Sequence, residues 1–424
     1  MAEIKKVPAI RFKGFSDEWS NKEFENILEI IDGDRGSNYP NGNDFLELGH
    51  TLFLNASNVT SKGFRFNNNL YITEEKSKKL GNGKLLVDDI VLTSRGSLGH
   101  VAWYSQDIHR KIPFARINSG MLILRASDNS IPSFIAQYLT APCGQKRINL
   151  ISFGSAQPQL TKKDICKFVI SLPLETNEQT QIGSYFQHLD KLISLHQTKV
   201  NKLTNLKKAM LEKMFPKQGA DVPETRFKGF AGAWEVEEIG KLTQVIDPHP
   251  SHRAPDSVLQ GVPFIGIGDI SENGKLDLSS VRIVSEDIYV EHSRRYTLSD
   301  GDFAYGRVAS IGKIIDLSKN VLSKYTYSPT MALIKPISVN SNYLKAYLST
   351  ESFKNLVDNK TTGSTRKSLG VEALRTMPVV LPTDKEQTKI GSYFQNLAKT
   401  ITLHKTELEK LNNLKKACLE KMFI

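Results

Sequence analysis

The chain has 424 residues, 39% of them hydrophobic, which can bury more than one core, so two globular units of ordinary size plus connectors are expected. A net charge of +11 and a pI near 9.3 favour a polyanionic partner, either nucleic acid or an acidic membrane surface. No apolar run reaches the roughly 18 residues a membrane span needs, and the opening MAEIKKVPAIRFKGF lacks the apolar core of a secretory signal, so a cytoplasmic protein is expected.

In chain order, the first stretch that recurs is KVPAIRFKGF (6–15), which returns as DVPETRFKGF (221–230). The β-rich runs KLLVDDIVLT, HVAWY and MLILRA follow, separated by turn clusters, and then the helix-like PSFIAQYLT, which SNYLKAYLST echoes in the second half. This is an α+β pattern in each half, with no βαβ series.

Within the first half, TSRGSLG (93–99) places Arg95 and Ser97 among small residues after a strand run. Its counterpart YGRVASIG (305–312) carries Arg307 and Ser310, with Lys313 next. A guanidinium fork with hydroxyls and exposed N–H groups suits phosphates or guanine edges. The competing reading is a β-hairpin whose glycines serve only the turn.

A second pair of loops is FGSAQPQLTKK (153–163), with Gln157, Gln159, Lys162 and Lys163, and TGSTRKSLG (362–370), with Thr365, Arg366 and Lys367. Amides and guanidiniums read adenine and guanine edges, and lysines hold phosphates. The frame repeats while the tip changes, as expected of one scaffold reading two sequences; a solvated polar loop is the alternative.

The longest repeat joins 178–215 to 386–423, with 27 identities in 38 positions. Apolar residues recur at Ile182, Phe186, Leu189, Ile193, His196, Val200, Leu203, Met210 and Met214. The second copy gives Ile390, Phe394, Leu397, Ile401, His404, Leu408, Leu411, Cys418 and Met422. That 4-3-4-3 spacing is a coiled-coil seam, with His196 and His404 as register-setting polar residues or satisfied, partly buried imidazoles, readings that outweigh a metal ligand. Lys207 and Lys415 interrupt it and mark where the seam opens toward solvent or a partner. Each helix is roughly 50 Å long at 1.5 Å per residue, a spacer as well as a packing surface. An antiparallel pair would relate the halves by an approximate two-fold axis.

Other chemistry finds little support. GIGDIS lacks the third glycine of a dinucleotide fingerprint, and the GK pairs lack a P-loop frame. Asp247, His249 and His252 of DPHPSH sit in a proline-broken loop that makes a poor metal platform. Cys143, Cys166 and Cys418 are too scattered for a disulfide framework. No Asn/Asp-Pro-Pro-Tyr/Phe tetrapeptide is present, and the chain reads as non-catalytic, with no metal site.

The ordered set of RFKGF openings, SRGSLG and GRVASIG loops, the LPLETNEQTQIGSYFQHLDKLI and LPTDKEQTKIGSYFQNLAKTI transitions and two long helices resembles the specificity subunit of type I restriction–modification systems over nearly the whole chain. The resemblance implies two tandem α+β target-recognition domains separated by two long antiparallel coiled-coil helices with pseudo-two-fold symmetry. The corresponding segments are 1–178 and 217–386 for the domains and 179–216 and 387–424 for the spacer and docking helices. It further implies a split double-stranded DNA site, two modification (methyltransferase) subunits docked on the helices, and restriction/translocase subunits. This chain would carry no cofactor; S-adenosylmethionine, ATP and Mg would reside on those partners. Two other readings are a coiled-coil protein adapter with incidental charge and a duplicated hydrolase built on DPHPSH.

Overall fold

A computed structural model describes residues 7–127, 130–152, 159–249, 251, 254–271, 276–317, 324–362 and 367–424. The chain divides into two compact units, Met1–Leu195 with Glu407–Ile424, and His196–Thr406.

In the first unit a four-stranded antiparallel sheet runs in the order Leu28–Asp32, Met121–Ala126, Ile90–Thr93, Val101–Trp103. MLILRA lacks polar alternation because both faces of its strand are covered. Leu122 and Leu124 enter the main core with Phe134, Tyr138 and Phe168. Met121 and Ile123 face a second core with Leu52, Tyr104 and Ile117. The helices Pro132–Thr140 and Pro142–Ser152 follow the sheet; the second of them lacks a clear apolar period and is not legible in the sequence. A three-stranded sheet, centred on Thr51–Phe53, pairs antiparallel with Tyr71–Ile72 and parallel with Ala115–Arg116.

The second unit repeats this plan. Its four-stranded order is Thr243–Ile246, Met331–Pro336, Phe303–Gly306, Ile314–Asp316, followed by the helices Ser341–Tyr347 and Glu351–Lys360. Phe303, Tyr305 and Ile334 enter one core, and Ala304, Met331 and Leu333 the other. Val262–Ile265 centres the small sheet.

The long helices are Thr176–Lys213 and Asp384–Lys421, each starting and ending three residues before the spacer segments 179–216 and 387–424 implied by the resemblance. The first turns carry Glu178, and Asp384 with Glu386, which complement the helix dipole without contributing to an apolar period. In the first unit the helix segments run antiparallel: Tyr185 Oη meets Cys418 Sγ at 3.6 Å, and Asp190 meets Lys415 further along. Ile182, Phe186, Leu189 and Leu411 are buried there and Ile193 is half-buried. In the second unit His196 and His404 meet through their Nδ1 atoms at 3.3 Å, and Phe215 packs on Phe394. Ile390, Phe394, Leu397 and Ile401 are buried there, and Leu203 is half-buried with the two histidines. Burial and the charge of Lys199 hold the His404 pKa below its ordinary value.

The repeated motifs are locks between segments. Arg11 of RFKGF grips Glu178 through two hydrogen bonds of 2.6 and 2.7 Å, and Arg226 grips Glu386 through two of 2.7 Å. The next residue, Gln179, accepts from Ile131 N–H and donates to the Pro173 carbonyl, as Gln387 does with Asn340 and Pro382. Gly183 and Gly391 lie against the starts of the helices that follow the sheets. A Cβ would fall 2.1 Å from Ser133 Oγ at the first and 2.7 Å from the Tyr343 backbone nitrogen at the second. The terminal phenylalanine of each KMF sequence leaves its helix for an aromatic cage. Phe423 meets Trp19, Phe134, Tyr138 and Phe186, and Phe215 meets Trp234, Tyr343, Tyr347 and Phe394.

Candidate nucleic-acid interface

The first candidate loop closes a hairpin between Ile90–Thr93 and Val101–Trp103. Thr93 N–H donates to His100 C=O at 3.0 Å, Gly99 N–H donates back to Thr93 C=O at 3.0 Å, and Gly96 holds the left-handed turn at φ +72°. Ser94 and Arg95 N–H groups both reach Gly120 C=O, while Leu160 N–H donates to Ser94 C=O at 3.0 Å. That last bond brings the two candidate loops of the first half, distant in sequence, to one place. Arg95 and Ser97 are exposed at the turn, and Gln159, Lys162 and Lys163 are exposed beside it. A capping box between Thr161 and Asp164 starts the short helix that carries the two lysines.

The second unit builds the same frame. Gly306 N–H donates to Lys313 C=O, Gly312 N–H to Gly306 C=O, Arg307 and Val308 N–H to Thr330 C=O, and Leu369 N–H to Arg307 C=O at 2.9 Å. Ala309, at φ +62°, takes the place of Gly96. These bonds equate Arg307 with Ser94, and Val308 with Arg95, so the pairing of Arg95 with Arg307 suggested by the sequence is off by one residue.

The shift decides what Arg307 does. Only 8% exposed, it donates to Asp247 Oδ2 and the Pro329 carbonyl at 2.9 Å, and to the Leu369 carbonyl at 3.3 Å. Burial lowers its pKa and Asp247 opposes that shift. Arg307 therefore ties three segments of its own domain together and presents no free fork. Lys313 likewise turns inward, donating to the carbonyls of Ile267 and Ile270. Ser310 is half-buried, and Lys367 is exposed. Gln157, Thr365 and Arg366 lie outside the described residues.

Two residues missed in the sequence complete the picture. Exposed Arg35 spans Asp32 Oδ1 and Ser119 C=O, at 3.2 and 3.3 Å, beside the Gly120 segment that holds the first loop. Asp247, weighed above only as a metal ligand, is the counterion of Arg307; its place at the end of Thr243–Ile246, where the first unit has Asp32, was the available signal. His249 meets His292 at 3.0 Å in a buried pair, and His252 lies outside the described residues. Among the described residues no group of three or more His, Cys, Asp or Glu is placed to hold a metal ion, and no helix is long and apolar enough to cross a membrane.

Two α+β domains with one loop frame and unlike tips, each joined to a long helix, define a duplicated recognition scaffold. The profile of the type I restriction modification DNA specificity domain matches residues 16–205 and again 233–413, and the chain belongs to that family as a specificity subunit with two target-recognition domains. A Methanocaldococcus jannaschii protein with the provisional name type I restriction enzyme MjaX specificity subunit is 22% identical over 421 residues, covering 94% of this chain and 91% of the relative. The type I restriction enzyme MjaVIII specificity subunit of the same organism is 23% identical over 270 residues, covering 62% of this chain and 63% of the relative. The crystal structure of a type I restriction-modification system S subunit from M. genitalium has the same fold, with a TM-score of 0.61 at 13% identity and 99% coverage of both chains.

Proposed function

We propose that each domain reads one part of a bipartite double-stranded DNA site, and that the long helices carry two modification subunits whose methyltransferase chemistry this chain directs without performing. Restriction subunits, and the S-adenosylmethionine, ATP and Mg of the reactions, belong to those partners, in the cytoplasm. The observation that carries this reading is the repeated loop frame with different chemistry at its tip: Arg95-Gly96-Ser97 in the first unit against Val308-Ala309-Ser310 in the second. In the first domain Arg95, Ser97, Gln159, Lys162 and Lys163 are the proposed contacts, with Gln157 proposed on sequence alone; in the second they are Ser310 and Lys367, with Thr365 and Arg366 proposed on sequence alone.

The test is an exchange of residues 20–170 with those of a relative, followed by sequencing of methylated adenines in cells. One part of the methylated site should change and the other persist. Simultaneous change of both parts would defeat the domain-by-domain assignment. A protein adapter with incidental charge predicts no methylation change, and no steep fall of DNA affinity with salt.

A further inference from the structure

The internal repeat supplies its own control for one half-buried charge. In the first unit Lys415 Nζ lies 2.5 Å from Asp190 Oδ1, and Gln137 Nε2 donates to Asp190 Oδ2 at 3.1 Å. The ungapped repeat pairs Lys415 with Lys207 and Asp190 with Ala398, and the echo of FIAQYLT in YLKAYLS pairs Gln137 with Ala346. The lysine is retained in the second unit, while both polar neighbours have become alanines.

Lys207 is half-buried and has neither an ion pair nor a side-chain hydrogen bond among the described residues. Burial and a second cation, Lys405, both lower its pKa. An ammonium partly withdrawn from water without a counterion is unfavourable, so something in the working assembly should neutralise it.

The surroundings indicate what. Leu206 and Leu403 in this unit are 41% and 61% exposed, and their repeat equivalents Leu414 and Leu195 in the first unit are exposed too. One turn beyond Lys207, Leu211 lines an open groove of about 290 Å³ with Glu212, Phe215, Lys217, Thr350 and Glu351. Exposed leucines beside a groove of mixed charge suit a polypeptide, and the two carboxylates, which outnumber Lys217 there, disfavour a phosphate backbone.

We propose that Lys207 receives a carboxylate from a protein partner docked on the second unit. This rests on the reading that modification subunits sit on the long helices, and adds that the two docking positions differ in charge. The apolar part of docking repeats; the salt-sensitive part belongs to the second unit alone.

The experiment uses the full chain co-purified with the modification subunit of its own system, with stepwise release of partner copies followed by native mass spectrometry over a salt series. Wild type should release one copy with a steeper salt dependence than the other. Ala398→Asp gives Lys207 an internal carboxylate and should weaken that one step about tenfold while removing its excess salt dependence. Lys207→Met should weaken the same step, yet leave the unbound chain as stable as wild type or more so. Unchanged release, or equal weakening of both steps, with partners still bound would overturn the inference alone. Failure of wild type to bind any copy would take the docking reading down with it. Loss of duplex DNA affinity in Ala398→Asp with partner release unaltered would assign the lysine to phosphate and overturn the proposal.

Discussion

Arg226 holds Glu386 with two parallel hydrogen bonds of 2.7 Å, and the carboxylate is fully buried at the start of the second long helix. The geometry is the fork-on-carboxylate arrangement in which both charges keep directional partners after leaving water. Removing one member strands the other, so Arg226→Ala should destabilise by about 3–5 kcal/mol. Urea titration of the isolated chain measures this. Replacing Arg226 and Glu386 together by apolar residues of similar volume should cost much less than either single change. A double variant as unstable as the sum of the singles would refute the lock.

The two arginines of the hairpin loops should behave oppositely. Arg95→Ala should leave the melting temperature within a degree or two and lower DNA affinity, reducing the salt slope by about one phosphate equivalent. Arg307→Ala should instead unfold the second domain more easily, by about 2–4 kcal/mol, because Asp247 and two carbonyls lose their donor. Fluorescence anisotropy on duplex DNA, paired with thermal unfolding, separates the effects.

Acid should loosen the second unit before neutral pH affects it. His292 is buried against His249 and Thr326, and burial first, then His249, push its pKa down to about 4. An unfolded histidine takes up its proton near 6.5, so between pH 6.5 and 4 the unfolded chain binds more protons than the folded one. Stability should be level above about pH 6.5 and fall through that window by about 1–2 kcal/mol, allowing for screening. Urea midpoints against pH check this, and His292→Asn should flatten the slope.

The contact between Ile10 and Lys421 permits a permutation. Ile10 N–H donates to Lys421 C=O at 3.0 Å, and the matching bond in the second unit, Thr225 N–H to Lys213 C=O at 2.8 Å, is spanned by continuous chain. Linking Ile424 to the first residue with a copy of that connection, and opening the exposed stretch 218–220, should give a soluble protein with wild-type circular dichroism and melting. Aggregation of the permutant would contradict it.

The amino-acid sequence alone determined the duplication, the α+β class and the two long helices, because these rest on periodicity and on the apolar volume of individual residues. MLILRA and PSFIAQYLT coincide with their observed elements because burial and helix spacing are local signals. The polar residues needed tertiary structure. Arg95 and Arg307 look alike in their loops, but one faces water and the other is held by Asp247, which lies 60 positions away in the chain. Lys207 and Lys415 share their local sequence, and only the fold reveals that Asp190 pairs with Lys415 while Lys207 has no ion pair among the described residues. A charged group's role is set by the counterions that surround it in space, and those come from segments whose meeting no local pattern encodes.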